Sequence, residues 1–277
     1  MALNDDYVYG FNNIWYTGNS RSGTTTSATN RLRDISLMRA GYGAYSTTMG
    51  VEPGLAEALS VYYNPESGRE AGFIKYAAGG TRLLNYFTGE NGPEGNWVPP
   101  SYQATLTSGV EEKTGGLYRN FLKQVEKSIA DYKKLGYNPI VKGMYWMQGE
   151  SDRGEPSEYL KAFKCFASDV RADLTRICGQ DCSTMPIIIG EISRSFASCS
   201  TSSMNSNANF IAMQNTIPQN VPNTYIVKSS GFDQNKYIDG VETKVGSDQY
   251  HWNYKDHLKI GNMVGECILE NVLAFDK

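Results

Sequence analysis

Short apolar runs that alternate with amphipathic stretches constrain this chain more than any other feature. The runs cover 72–78, 140–147, 185–190 and 224–228, each the length of a buried strand. Helical patterns lie between and around them. In 53–61, Leu55, Ala58 and Leu59 share one side, and in 117–135 Leu117, Phe121, Val125, Ile129 and Tyr132 recur at spacings of three and four. The stretch 157–177 repeats this with Leu160, Phe163, Val170 and Leu174, and 209–217 and 258–273 complete the set. Strands alternating with helices predict a parallel sheet covered on both faces, with the working residues just past the carboxyl ends of the strands. A chain of 277 residues buries enough surface to fold without a disulfide or metal staple. Its 26 basic against 29 acidic residues exclude the basic excess that a nucleic-acid or anionic-membrane partner requires. No apolar run approaches the roughly 20 residues of a membrane span.

Three segments carry groups suited to catalysis, the first two of them at strand ends. Ala78 leads into Gly79-Gly80-Thr81, where paired glycines permit a tight turn and leave N–H groups free to hold an oxyanion; an ordinary turn explains the same residues. Met147 leads into Gln148-Gly149-Glu150-Ser151-Asp152, which gathers an amide, two carboxylates and a hydroxyl. There Gln148 is a candidate oxyanion donor, Glu150 and Asp152 can orient an imidazole or fix a loop, and Ser151 or Asp152 can simply cap a helix. The third segment, Asp248-Gln249-Tyr250-His251, precedes the last helix. A carboxylate three residues before an imidazole can accept from its Nδ1–H and leave Nε2 free as a general base. His251 and His257 are the two histidines of the chain, which argues against a His-rich metal site, and His257, at the helix start, reads as structural.

Taken in this order, the three segments resemble the SGNH (GDSL-like) hydrolase superfamily, in its sialate O-acetylesterase and carbohydrate esterase family six branch. The motifs are Gly79-Gly80-Thr81, Trp146-Met147-Gln148-Gly149-Glu150-Ser151-Asp152 and Asp248-Gln249-Tyr250-His251, with Gly50-Val51-Glu52-Pro53-Gly54 resembling that group's lead-in to its first long helix. The resemblance implies an α/β protein, a three-layer α/β/α sandwich with a central, mostly parallel five-stranded sheet of flavodoxin-like order. It implies one domain over 1–277, lacking the extreme N-terminal strand on one reading. It also implies a serine esterase that removes O-acetyl groups from carbohydrate and needs no cofactor or metal. On this pattern His251 is the base, Asp248 its orienting acid with Glu150 as rival, and Gly80 and Gln148 are oxyanion donors. The expected partner is an acetylated carbohydrate, with neither nucleic acid nor membrane, and the oligomeric state stays open.

The family's Gly-Gln-Ser-Asn turn, which carries the nucleophile, has no counterpart here. Its nearest match is Gly18-Asn19-Ser20-Arg21 after the short apolar run Ile14-Trp15-Tyr16. Two readings stay open: Ser20 is the nucleophile, or the nucleophile lies outside this sequence and the chain is a carbohydrate-binding pseudoenzyme of the same fold. Trp97, Tyr250 and Trp252 are candidates for stacking on sugar faces, with core packing as the alternative. The polar run 198–209 is expected to be a surface loop. Of the five cysteines, Cys178 and Cys182 can close a small loop, with Cys199 competing for the same partner, or all can remain thiols. The first residues resemble no signal peptide, which predicts a cytoplasmic chain, or export if the native N-terminus carries a leader.

Overall fold

The structure, a computed structural model, describes residues 5–22, 33–43, 48–85, 95–193, 201–232, 237–238, 241–242 and 251–275. A short helix α1 (Asp5–Tyr9) leads into strand β1 (Phe11–Ser22), followed by β2 (Arg33–Met38), α2 (Glu52–Leu59) and β3 (Ala71–Gly79). Then come α3 (Pro100–Gln103), α4 (Gly116–Lys134), β4 (Met144–Trp146), α5 (Pro156–Cys178) and β5 (Ile187–Gly190). The chain continues through α6 (Thr201–Gln214), α7 (Ile217–Asn220), β6 (Thr224–Val227), the small ladder β7 (Tyr237–Ile238) and β8 (Val241–Glu242), and α8 (Tyr254–Asn271).

The protein is of the α/β class, but its sheet differs from the single five-stranded one expected. The described ladders are two three-stranded sheets, β2–β1–β3 and β4–β5–β6. The second is parallel throughout. The first is mixed, because β2 pairs antiparallel with β1 while β3 pairs parallel with it. β4 shows why a regular ladder is short here. Of the apolar run 140–147 only Met144–Trp146 is strand. Upstream, the Gln180 amide takes the place of a neighbouring strand, accepting from Val141 N–H at 2.8 Å and donating to its carbonyl at 2.9 Å.

Side-chain alternation builds a core on each face of the strands. Ile74 and Tyr76 of β3, Trp146 of β4 and Ile187 and Ile189 of β5 join one core. Phe73, Tyr145 and Ile188 join the other. Helices α4, α5 and α6 close the first with Leu117, Phe121, Phe163, Phe166 and Phe210. Helices α2 and α8 close the second with Leu55, Leu59, Ile260 and Val264. Both sheets therefore share both cores, and the expected helical coverage of two faces holds.

α2 and α8 touch almost backbone to backbone. A Cβ on Gly54 would lie 2.1 Å from Leu258 O, and one on Gly261 2.1 Å from Val51 O. One on Gly265 would lie 2.4 Å from Ala58 Cβ. Contacts advance together along both chains, so the helices run parallel and their positive N-terminal ends lie side by side.

Other expectations change. α6 starts at Thr201, inside the run expected as loop. Its buried Asn207 amide donates to Ser193 O at 3.2 Å, and Phe210 and Ile211 anchor it in the core. Cys178 and Cys182 are free thiols, the second buried, and Cys199 lies outside the described residues. Burial pushes both described thiols above the ordinary value.

Candidate active site

β3 ends at Gly79, and Gly80 follows with φ +67°, the left-handed conformation that glycine adopts without strain. The expected turn is therefore present, and Gly80 is exposed. Thr81 closes the turn by donating from Oγ1 to Ala78 O at 2.8 Å, and the same oxygen accepts from Trp97 Nε1 at 2.9 Å.

The segment after β4 is tied to this turn by Asp152, which is 1 % exposed. Its Oδ2 accepts from Leu83 N–H at 2.8 Å and from Gln148 Nε2 at 2.7 Å. Gln148 Nε2 also donates to Thr81 O at 3.0 Å. Both hydrogens of the Gln148 amide are thus engaged, and its Oε1 is buried with no hydrogen-bond partner. Neither Ser151 nor Asp152 caps α5 as expected. The helix starts at Pro156 with Glu155 as N-cap, since proline supplies a fixed first turn without needing a cap. Residues Glu150–Asp152 form a single 3₁₀ turn instead. Gly149 enters it at φ +147°, where a Cβ would meet Phe210 Cε1 at 2.3 Å. From α5, Tyr159 OH donates to Gln148 O at 3.2 Å and accepts from Trp146 Nε1 at 3.1 Å. Asp152 thus fixes the loop, one of the roles the sequence offered for it, but sequence reasoning missed its partners and the parts of Thr81 and Tyr159 in this knot. Its one linear signal is the Gln148–Asp152 spacing, which does not reveal that the partner of Asp152 is a backbone N–H 69 residues away.

His251 is exposed on the turn into α8. The next two residues fix that turn. Trp252 is buried edge-on to Phe232, with centroids 5.3 Å apart. Asn253 is the N-cap, accepting from Asp256 N–H at 3.1 Å and donating from Nδ2 to Asp256 Oδ2 at 2.9 Å. His257 packs against Trp252 with centroids 6.0 Å apart, in keeping with a structural part.

His251 and Glu150 come together electrostatically. Burial pushes the Glu150 carboxyl above its ordinary range, and its own backbone N–H, the charge of His251 and the charge of Arg153 pull it back. Asp152 is raised too, chiefly by burial, against the hydrogen bond from Gln148.

Other candidates fare differently. Trp97 and Trp252 are each 4 % exposed, so both are core residues and not platforms for a sugar. Asp248 and Tyr250 lie outside the described residues. Ser20 is not in a turn after a three-residue strand. β1 continues through Ser22 because it stays in register with β3 over nine pairs, with Ser20 opposite Ala77 and Ser22 opposite Gly79. Among the described residues no group of three His, Cys, Asp or Glu can hold a metal ion.

A raised Glu150 gives a signed prediction. An acid whose folded pKa lies above its unfolded value contributes stability that is full below about pH 4.3 and is lost as pH rises through the folded value. Glu150→Gln is therefore expected to raise Tm by a few degrees at pH 7, with the gain vanishing near pH 4. Thermal unfolding across that range checks it; a gain independent of pH would remove the carboxyl as its cause.

An α/β fold with an exposed imidazole just before its last helix, whose charge acts on a buried carboxyl in the turn after β4, defines the class of protein. Within that class, a sequence model of the family described as SASA, carbohydrate esterase, sialic acid-specific acetylesterase, matches residues 31–270, and the chain belongs to that family. The match contains Gly80, Gln148, Glu150, Asp248 and His251 and begins after Ser20. The fold is similar to the crystal structure of XAC1771, a novel carbohydrate acetylesterase from Xanthomonas citri, with a TM-score of 0.60 at 13 % identity. That likeness covers 98 % of this chain and 51 % of the other, so the chain spans about half the length of that protein. No curated protein matches the chain.

Proposed function

We propose that this chain is a serine esterase that removes O-acetyl groups from carbohydrate through an acetyl-enzyme, on a three-layer α/β/α frame in which the two ladders follow one another edge to edge. Two observations support this reading: His251 is exposed on the turn into α8 with its charge acting on the Glu150 carboxyl, and the chain belongs to a carbohydrate esterase family.

In this scheme the serine hydroxyl, assigned to Ser20, attacks the acetyl carbonyl while His251 takes its proton. The carbonyl π electrons move to oxygen, and that oxyanion is held by Gly80 N–H, the Gln148 amide and the N–H of the nucleophile. The intermediate collapses, the sugar alkoxide leaves with the proton from His251, and water activated by the same imidazole releases acetate. Glu150 or Asp248 orients the ring. Because both Gln148 hydrogens are engaged, its amide joins the hole by exchanging its bond to Thr81 O or Asp152 for one to the oxyanion.

A fluorophosphonate tests this directly. It is expected to label the folded chain, and Ser20→Ala is expected to abolish labelling with an unchanged circular dichroism spectrum. The strand position of Ser20 and the spent Gln148 amide favour a second reading, a carbohydrate-binding relic without turnover. A folded chain that takes no label would favour that reading over the first.

A further inference from the structure

On the far end of α5 a guanidinium is buried without a counter-ion. Arg171 is 8 % exposed and lies about 22 Å along the helix from its first residue, Pro156. Its Nε donates to Met185 O at 2.9 Å, and its Nη2 donates to Pro222 O at 2.8 Å and Asn223 O at 3.1 Å. Three carbonyls satisfy two nitrogens. Among the described residues no carboxylate pairs with this charge, and its Nη1 donates to no protein acceptor. An isolated buried cation is costly unless something negative reaches it.

What Arg171 lines is a cleft of about 650 Å³ between α5 and α7, within the range of small-molecule sites. Exposed Ser168 stands on the same wall, and Lys164 reaches across to Asn220 Oδ1 at 3.1 Å. At the other end Asp181 accepts from Ser183 N–H at 2.8 Å, and that contact holds its carboxyl below the usual range and therefore ionised. An uncommitted guanidinium Nη1, an ammonium, an ionised carboxylate and an amide on the walls of one cleft suit a ligand that is itself one carboxylate surrounded by hydroxyls: the carboxylate accepts from Nη1 and the ammonium, and hydroxyls donate to acidic and amide oxygens.

We propose that this cleft binds an acidic saccharide unit, its carboxylate on Arg171 and Lys164 and its hydroxyls toward Asp181 and Asn220. The site is separate from the turn that carries His251, and the choice of a saccharide over a simple anion rests on the carbohydrate esterase reading. It would hold an acidic chain while a different unit is processed.

Saturation-transfer NMR on the full chain tests this with D-glucuronate, D-galactose and acetate as probes. Glucuronate is expected to saturate, with galactose and acetate each weaker by about tenfold, the loss that one charge-assisted contact carries. Ser168→Trp fills the cleft from an exposed position, and Lys164→Glu reverses one charge. Each is expected to weaken glucuronate by about tenfold while leaving p-nitrophenyl acetate hydrolysis unchanged. Equal saturation by galactose, or glucuronate binding that survives Ser168→Trp, overturns the site. Acetate binding as well as glucuronate overturns the saccharide and leaves a plain anion pocket. The saturation readouts need no turnover, so they separate failure of the cleft from failure of the esterase reading.

Discussion

His251→Ala is expected to lower acetyl-ester hydrolysis on the order of 10⁴-fold, the upper end of what a positioned acid–base group supplies. The proposed scheme uses the imidazole twice, to take the serine proton and to activate water, so no step proceeds efficiently without it. The loss should fall on kcat, with KM little changed, because the ring touches the reacting atoms and not the bulk of the sugar. His257→Ala is the matched control. Its ring packs on Trp252 and is expected to affect stability while leaving kcat within about twofold, since it serves no step of the reaction. Steady-state assays on p-nitrophenyl acetate and on acetylated xylan read both. A His251→Ala enzyme with undiminished turnover would remove the base from the scheme, and with it the reason for placing the site at this end of the strands.

The orienting acid is a matter of competing electrostatics. Glu150 is in a location where burial opposes its charge, and His251 and Arg153 favour it. In the proposed scheme an imidazolium that forms during proton transfer strengthens the charged form of Glu150 at the moment it is needed, whereas in the resting protein the carboxyl carries a desolvation cost. Hence Glu150→Gln should exchange activity for stability. Asp152 sits two residues on and does something else: it is fully buried, faces Leu83 and Gln148, and serves as the knot between two strand-end turns. Two carboxylates of one short motif thus differ, because the charge of an imidazole acts on one while the other accepts from a backbone N–H.

The legible parts of the sequence were those with local periodicity. Strands β3, β5 and β6 and helices α2, α4, α5 and α8 lie within a few residues of their expected bounds, because a period of two or of three to four reports which side of an element is buried. The Gly80 turn was legible for a similar reason, since a left-handed residue after a strand demands glycine. What was not legible depends on partners distant in sequence. The length of β1 comes from its nine-pair register with β3, invisible in its own polar composition. The shortness of β4 comes from one glutamine amide contributed by a loop after α5. Trp97 and Trp252 looked like sugar platforms because aromatic type alone does not tell a core ring from an exposed one. The Gln148 amide looked free because its acceptors, Thr81 O and Asp152, meet it only in the folded chain.

Gly261→Ala offers a test in which two physical effects predict opposite signs. Helix propensity alone makes alanine better than glycine inside a helix by about 1 kcal/mol. At this position, however, the added methyl would stand 2.1 Å from Val51 O and 2.7 Å from Leu55 N, backbone atoms of the N-cap and first turn of α2 that no rotamer change can move. The two helices must separate, and with them the core that Leu55, Ile260 and Val264 share. Overpacking of this kind costs about 1–3 kcal/mol, and rigid backbone on the far side places this case at the top of that range or beyond. The expected net result is a loss of about 2 kcal/mol or more in Gly261→Ala and failure to fold in Gly261→Val, against a total margin of roughly 5–15 kcal/mol. Gly154→Ala, where open space surrounds the new methyl, is expected to stay within about 0.5 kcal/mol. Urea unfolding of the three variants reads the sign. The same displacement has a functional reading, because α8 carries His251 at its mouth and α2 sets its height. Whatever fraction of Gly261→Ala remains folded should hydrolyse acetyl esters more slowly per folded molecule than wild type. A Gly261→Ala protein as stable as the parent would mean that α2 and α8 are not held at backbone contact, and the position of His251 at the start of α8 would lose its proposed structural cause.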